Sequence, residues 1–533
     1  MTHVSRRRFL EDSLLATFAA GAAAATASFS AVPPALLAAE KVGANDRLGV
    51  LLAGAGGRGV DHINFFAKDK RTEIRFVCDP DRVVAERRCA DIEAIQGTRP
   101  KAVADLRAAL EDRAIDIVTC ASTNHWHALT GIWAMQAGKH CYIEKPISHN
   151  IHEGKALVAA AKKYKRIVQT GSQCRSQPPI IDVVKFVQEG GIGKVNFARG
   201  LCYKRRPAIG PLGNYPVPEN VDYDLWSGPA QIRPVTRPRF HYDWHWQHYY
   251  GNGDLGNQGP HQTDIARWFL GVERFPLSVL SYGGRLGYDI EKNDPNYVDA
   301  GDTANTEVSI YDYGDKCIVF ETRGLRTPNF DIPVGEKLGT QVGVIAYGTN
   351  GYAIQGAARG QSYDYSAVYD LQGKLIKEFK GGRSQQPATQ GQTGAVQLAF
   401  DGDRVHYANF VDAVLANDPT VLTADARCGA LSAAVSHLGN ISYYVGEKNR
   451  VSIAELKRTL ASIKSLDDND ATLARTVEHL EANGVDLKRT PLALGPILKI
   501  DVEKEVFIDN AEANAMLTRD YRAPYIVPAP ENV

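Results

Sequence analysis

The sequence carries no net charge: 61 Lys and Arg balance 61 Asp and Glu over 533 residues. A chain without a global basic field has nothing to draw in nucleic acid or anionic lipid, so neither is expected as a partner and a small molecule is. Methionine is scarce, at 3, and the 8 cysteines (78, 89, 120, 141, 174, 202, 317 and 428) include no CxxC pair. Several stand in apolar, strand-like surroundings such as Phe76-Val77-Cys78 and Val118-Thr119-Cys120, which reads as buried thiols rather than a disulfide framework or a zinc site. There is no internal repeat, and no long low-complexity segment beyond the first forty or so residues. What remains is long enough for two or three domains, each with its own core.

The N-terminus has its own logic. Ser5-Arg6-Arg7-Arg8-Phe9-Leu10 precedes an alanine-rich apolar stretch from Leu14 to Ala31 and a small-residue exit through Ala38-Ala39. A basic start, an apolar middle and a small-residue end make an export signal over residues 1–39, and the paired arginines before Phe-Leu resemble the twin-arginine type. The stretch is too short and too alanine-rich to span a membrane well, so a periplasmic or otherwise exported protein is expected, without a stable membrane anchor. The twin-arginine route carries folded proteins, which suits a chain that traps a cytoplasmic cofactor before it crosses.

Such a cofactor is indicated directly after the signal. Short apolar runs (47–53, 73–78, 116–121, 140–144, 167–170) alternate with helix-like stretches (59–70, 102–112, 128–138, 151–164), which predicts a parallel sheet with helices on both faces. The first run ends in Gly54-Ala55-Gly56-Gly57-Arg58-Gly59. Glycine at the first two positions lets the backbone turn tightly and approach a pyrophosphate, and a helix starting at the third presents free N–H groups and its positive dipole end. Asp79 follows Gly59 by 20 positions, at the end of the second run, where a carboxylate holds a ribose 2′-hydroxyl. Asp79 favours NAD over NADP, since it repels a 2′-phosphate; Arg58 and Arg82 soften that preference and leave NADP open.

Ser122-Thr123-Asn124-His125-Trp126-His127 after a strand, and Gly138-Lys139-His140-Cys141-Tyr142-Ile143-Glu144-Lys145-Pro146, resemble the glucose-fructose oxidoreductase / inositol dehydrogenase / rhizopine catabolism (Gfo/Idh/MocA) family over roughly residues 46–446. The resemblance implies an α/β chain: an N-terminal Rossmann domain (46–170), then a C-terminal α+β domain (171–446) with an open, mostly antiparallel sheet, a sugar site and commonly a homo-oligomer interface. It implies Thr123, Asn124 and His127 beside the dinucleotide, Glu144 near the nicotinamide ribose, and Lys145 between the nicotinamide and the substrate hydroxyl. Gln173 and Arg175 match a stretch bordering the nicotinamide, Arg175 on the substrate side. Oxidising a secondary alcohol takes a base for the hydroxyl proton, and a lysine beside a nicotinamide cation can have its pKa lowered to that task.

In the same family a glycine-rich approach leads to an Asp, three residues and a catalytic His; here that frame puts Asn257 in place of the acid and His261 at the His. Asn257 can orient an imidazole but cannot charge it, so Asp264 or Asp254 would supply the missing charge. Pro260 suits the first turn of a helix running to Leu270, stopped by Gly271. The concentration of aromatics and imidazoles at Trp244, His245, Trp246, His248, Tyr249 and Tyr250 suits a pyranose, with apolar faces and polar edges. No third ligand joins His245 and His248 at metal spacing, so no metal is expected. Beyond Gly446 the tail (447–533) carries helical stretches at 453–463 and 472–482 and a strand at 497–508, outside the common family core.

Three functions fit these parts: an oxidoreductase acting on a secondary hydroxyl of a sugar with retained cofactor; a redox-neutral NAD-dependent glycosidase working by oxidation, elimination, hydration and reduction; or a dinucleotide-binding sensor without turnover. The Glu-Lys-Pro tripeptide leans to the first, export to the second, and the pair Lys145 and His261 against the third. The sequence does not name the sugar.

Overall fold

The computed structural model describes residues 47–326, 340–358, 365–380, 401–463 and 465–533, so the export segment lies outside the described residues. The first sheet has six parallel strands, β1 (Leu48–Ala53), β2 (Thr72–Cys78), β3 (Lys101–Val103), β4 (Ile117–Cys120), β5 (His140–Ile143) and β6 (Val168–Thr170), in the order β3-β2-β1-β4-β5-β6. The order reverses direction between β1 and β4, and the crevice beyond the strand ends at such a switch point is where doubly wound sheets bind ligands. Helices α1 (Gly59–Phe66), α2 (Arg82–Gln96), α3 (Asn124–Gln136) and α4 (Ile151–Tyr164) make the crossovers.

The first sheet departs from expectation at two of its crossovers. Helix α2 lies in a stretch not expected to be helical: it fully buries only Ala85, Cys89 and Ile92, with Val84 half-buried, and is otherwise mostly charged or exposed, and its start is set by Asp81, which accepts hydrogen bonds from the Val83 and Val84 N–H groups at 3.0 Å. The helix expected over 102–112 is instead the edge strand β3 and one short turn, Arg107–Leu110, because Phe76 to Cys78 of β2 pair with 101–103.

Helix α5 (Pro178–Gln188) leads into a second sheet of twelve strands. It runs through β7 (Val195–Tyr203), β8 (Ser278–Gly284), β9 (Thr306–Asp312), β10 (Cys317–Arg323), β11 (Thr340–Gly348), β12 (Gly351–Ala358), β13 (Ser366–Asp370) and β14 (Leu375–Phe379). Every pairing is antiparallel except β7 with β10. Strand alternation sorts its residues: Val279, Tyr311, Ile318 and Phe320 face one core with Ile265, Phe269 and Leu438, while Leu280, Ile310 and Val319 face another. The first face is covered by α6 (Gly259–Leu270) and α8 (Ala426–Val445); α7 (Asp401–Ala416) packs instead with the first sheet, through Tyr407 and Phe410.

The tail covers the second face. Its helices α9 (Ile453–Ala461) and α10 (Asn469–Ala482) put Leu456, Leu460, Leu473 and Leu480 against Leu280, Ile310 and Val319. Its strands β15 (Arg450–Val451), β16 (Leu492–Leu494), β17 (Leu498–Asp501) and β18 (Val506–Phe507) extend the sheet beyond β8. The single strand expected over 497–508 is therefore the hairpin β17-β18, turned at Glu505, whose φ is +55°. The chain then returns to the first sheet, where Tyr525 and Val527 join the core of Trp126, Leu129 and Ile132. Among the described residues no helix is long and apolar enough to cross a membrane.

Candidate active site

A cavity of about 570 Å³ opens where the switch point of the first sheet faces the segment before α6. The glycine loop forms one wall. Gly54 takes φ +84° and has Ser122 so close that a Cβ would stand 2.5 Å from its nitrogen, so only glycine fits there. At Gly56 and Gly57 a Cβ would meet nothing within 4 Å, and both residues line the cavity, leaving the backbone open to a ligand phosphate at the start of α1. Asp79 lines the same wall; its two oxygens accept from the Ala55 and Asp81 N–H groups at 2.9 Å, and burial raises its pKa. These features fit a dinucleotide with its ribose on Asp79.

Arg58 does not reach toward that ribose. Its Nε donates to Glu144 at 3.0 Å and its Nη1 to Asp61 and Asp403 at 2.9 Å. Arg82 is exposed and off the wall; Arg87 and Arg88 line the cavity with Asp79, and Arg88 Nε donates to the Ala55 carbonyl at 3.1 Å.

Glu144 is buried in a polar cluster, accepting from Arg58, from Gln173 Nε2 at 3.3 Å and contacting His62 Nε2 at 3.2 Å; despite its burial, the Arg58 charge and the hydrogen bond from His62 hold its pKa well below the usual range. Gln173 also donates to Tyr142, which keeps it behind Glu144 rather than on the cavity wall. Thr123, Asn124 and His127 line the cavity. His127 is pinned between the carbonyls of Pro146 (2.6 Å) and Ser122 (3.0 Å), and Asn124 Nδ2 donates to Asn252 Oδ1 at 2.8 Å.

Lys145 follows β5 and reaches across the cleft. Its Nζ donates to the backbone carbonyl of Asn257 at 2.7 Å and to Oδ1 of the same residue at 3.0 Å, both uncharged acceptors. Burial lowers its pKa to about 8, with Arg58, Lys204 and Arg206 adding to that and Glu144 opposing. Asn257 thus holds the lysine rather than the imidazole it was expected to orient. His261 has a buried Nδ1 with no hydrogen-bond partner, and burial followed by the Lys145 charge lowers its pKa to about 3, so its ring is neutral.

Neither acid supplies His261 with a counter-charge by contact. Asp264 is locked in a bidentate pair with Arg175, at 2.7 and 2.9 Å, and accepts from Ser432 Oγ at 2.7 Å. Arg175 lies over Trp268 and, like Asp264, stands off the cavity wall, so both expected substrate residues are spent on each other. Asp254 is paired with Arg206 at 2.8 Å.

Of the expected sugar platform, Trp244 and His245 line the cavity and stack with centroids 3.7 Å apart at 20°. Burial holds the His245 ring neutral, its pKa lowered to about 3. Trp246, two residues on, turns away: only 5% exposed, it packs with Ile209 and Ala300. Sequence reasoning missed Tyr242 and His241 on the wall. Tyr242 sits at φ +65°, a conformation costly for a bulky residue, and His241 Nε2 contacts Asp81 Oδ2 at 2.9 Å. The only signal was their place within the run His241-Tyr242-Asp243-Trp244. Among the described residues no cluster of three metal-ligating side chains occurs.

Residues 48–172 match a family model described as "Oxidoreductase family, NAD-binding Rossmann fold", and residues 197–284 one described as "Oxidoreductase family, C-terminal alpha/beta domain". A levoglucosan dehydrogenase of Pseudarthrobacter phenanthrenivorans is 28% identical over 178 residues, 33% of this chain and 38% of that protein. A glycosyl hydrolase family 109 protein of Shewanella baltica is 26% identical over 210 residues, 37% of this chain and 45% of the relative. The chain thus spans less than half the length of these curated relatives. Among solved structures, a levoglucosan dehydrogenase in complex with NADH and levoglucosan superposes with a TM-score of 0.52 at 18% identity, over 74% of this chain and 96% of that one. A NAD-binding oxidoreductase from Klebsiella pneumoniae does so at 0.52 and 19%, over the same shares. At these identities the likeness is one of fold.

Proposed function

We propose that the chain is a member of the Gfo/Idh/MocA oxidoreductase family and, within it, an exported NAD-dependent dehydrogenase that oxidises a secondary hydroxyl of a sugar and keeps its dinucleotide bound. The observation that carries the reading is Lys145: a lysine with its pKa lowered to about 8, aimed across the cavity and held by neutral acceptors only. NAD, when bound, supplies the hydride acceptor. The chain's own residues do the rest. The stacked Trp244 and His245 offer a flat surface for the apolar face of a sugar ring, with Lys145 and Asn257 lining the same cavity. Lys145 Nζ, deprotonated above its pKa, takes the hydroxyl proton; Asn257 fixes where that nitrogen stands. His261, neutral and off the cavity wall, is not assigned the base role.

A redox-neutral glycoside hydrolase is the second reading, favoured by the similarity to glycosyl hydrolase family 109 proteins and by export away from the cytoplasmic NAD pool. It uses the same lysine. Mass spectrometry of the dinucleotide released by denaturing the dialysed exported protein tests both: near-stoichiometric NAD or NADH is expected, and none would overturn the retained-cofactor reading. Product analysis then separates them, an oxidised sugar marking the dehydrogenase and a released aglycone with an unoxidised sugar the hydrolase. Asp79→Ala is expected to lower the NAD over NADP preference about tenfold, checked by cofactor titration; an unchanged preference would remove Asp79 from that role.

A further inference from the structure

A second cavity, of about 220 Å³, lies where the loop after Lys145, helix α8 and the tail meet. Arg519 of the tail contributes its guanidinium: Nε, Nη1 and Nη2 are all buried and none has a hydrogen-bond partner. The group lies 4.6 Å over the Tyr249 ring, which holds the fork in place without satisfying its donors. Leaving charged donors buried and unpaired is costly, so the arrangement calls for an acceptor with a matching fork, a carboxylate or phosphate.

The histidines around it ask for something else. His149, buried, gives its Nε2 to the His248 carbonyl at 2.9 Å, and His437, also buried, gives its Nε2 to the Ser148 carbonyl at 3.0 Å. Burial lowers the pKa of both, so each ring is neutral, with the proton on Nε2 and a lone pair on Nδ1. His149 Nδ1 is buried and unpartnered, and it accepts from a donor rather than binding a negative oxygen. Glu153, the acid whose field reaches Arg519, spends its oxygens on the His149 N–H (2.7 Å), Asn150 (3.1 Å) and Tyr521 (3.3 Å) and forms no ion pair with the arginine. Burial lifts its pKa to about 7, which softens its repulsion of an anion at neutrality.

We propose that this cavity binds a small oxyanion that also carries a hydroxyl, its charge on Arg519 and its O–H donating to His149 Nδ1. Two sources share that chemistry, a short hydroxy acid and hydrogenphosphate. The site is separate from the dinucleotide cavity and independent of the reaction assigned to it. Occupancy ties the tail to the loop four residues beyond Lys145, so the site braces the strand end that presents the lysine.

Isothermal titration of the full-length protein at pH 7 and fixed ionic strength, with glycolate, acetate, inorganic phosphate and sulfate as probes, tests this. Glycolate is expected to bind about tenfold or more tighter than acetate, or phosphate than sulfate, and the pair that shows the difference identifies the source. Arg519→Gln is expected to weaken that binding about tenfold to a hundredfold. Equal binding of all four probes, no binding of any, or binding unchanged by Arg519→Gln would overturn the proposal. Should the variant fail to fold, crystals of the protein soaked with glycolate and with phosphate decide it: density for one of them beside Arg519 is expected, and its absence in both overturns the site.

Discussion

Two cations reach from the ends of adjacent strands of the first sheet toward the segment around α6. Lys145, after β5, meets an asparagine; Arg175, after β6, meets an aspartate. Both are largely buried, and both make two hydrogen bonds to one partner residue. The difference lies in the partner's charge. Arg175 is neutralised, doubly bonded and covered by Trp268, while Asp264 gains Ser432 as well. Lys145 receives position from Asn257 without compensation, so burial lowers its pKa into the working range. One junction is built to stay, the other to react, and a single carboxylate separates them.

The largest effect should come from breaking the static pair. Arg175→Met leaves Asp264 buried beside Ser432 and Arg267 without its main counter-ion, and is expected to cost about 3 kcal/mol in denaturant unfolding while leaving the pH profile of turnover in place. Next, Lys145→Met should cut kcat by about 10² or more with the unfolding midpoint and dinucleotide affinity nearly unchanged, read from steady-state kinetics beside a thermal melt. Unchanged turnover would remove Lys145 from proton transfer. Asn257→Asp converts the reactive junction toward the static one. The base must be neutral to act, so kcat/KM of the native protein rises as pH passes about 8; a carboxylate at Asn257 stabilises the ammonium and should move that limb upward by about one pH unit. A downward shift would contradict the electrostatic account. The smallest effect expected is from Trp244→Ala, about a fivefold rise in KM with little change in kcat, as befits a surface that holds substrate and transition state alike.

The strands and the glycine loop were legible because their signals are local. Apolar runs of four to seven residues announce β1, β2, β4 and β5, and Gly271, at φ +60°, stops α6 where a glycine after the last apolar residue should. Helix α2 was hidden because it buries one narrow line of three residues and lets charge cover the rest; its marks were the cap at Asp81 and the stop at Gly97, not its periodicity. The site was legible by residue type and less so by pairing. Lys145, Asn257, Trp244, Gly54, Gly56 and Gly57 stand on the cavity, while Gly59 packs against the Gly54 carbonyl behind it. Which partner Asn257 takes, and whether Trp244 or Trp246 faces the ligand, depends on neighbours distant in the chain. Asp264 and Arg175 each carry a plausible substrate-binding chemistry, and only their meeting uses it up.

The return of the tail to the first sheet bears on how the protein is made. Tyr525 stacks edge-on with Trp126 at 5.5 Å and packs beside Trp133, while Arg522 donates to the Gly228 carbonyl and Val527 enters the same core. The dinucleotide domain therefore recruits side chains that leave the ribosome some 400 positions after the residues they cover. Contacts of that sequence separation form late and slowly, since the intervening chain must be ordered first. The earliest-made part of the molecule is among the last to become watertight, and a nascent chain halted before Arg522 would present Trp126 and Trp133 to chaperones rather than a finished cofactor site.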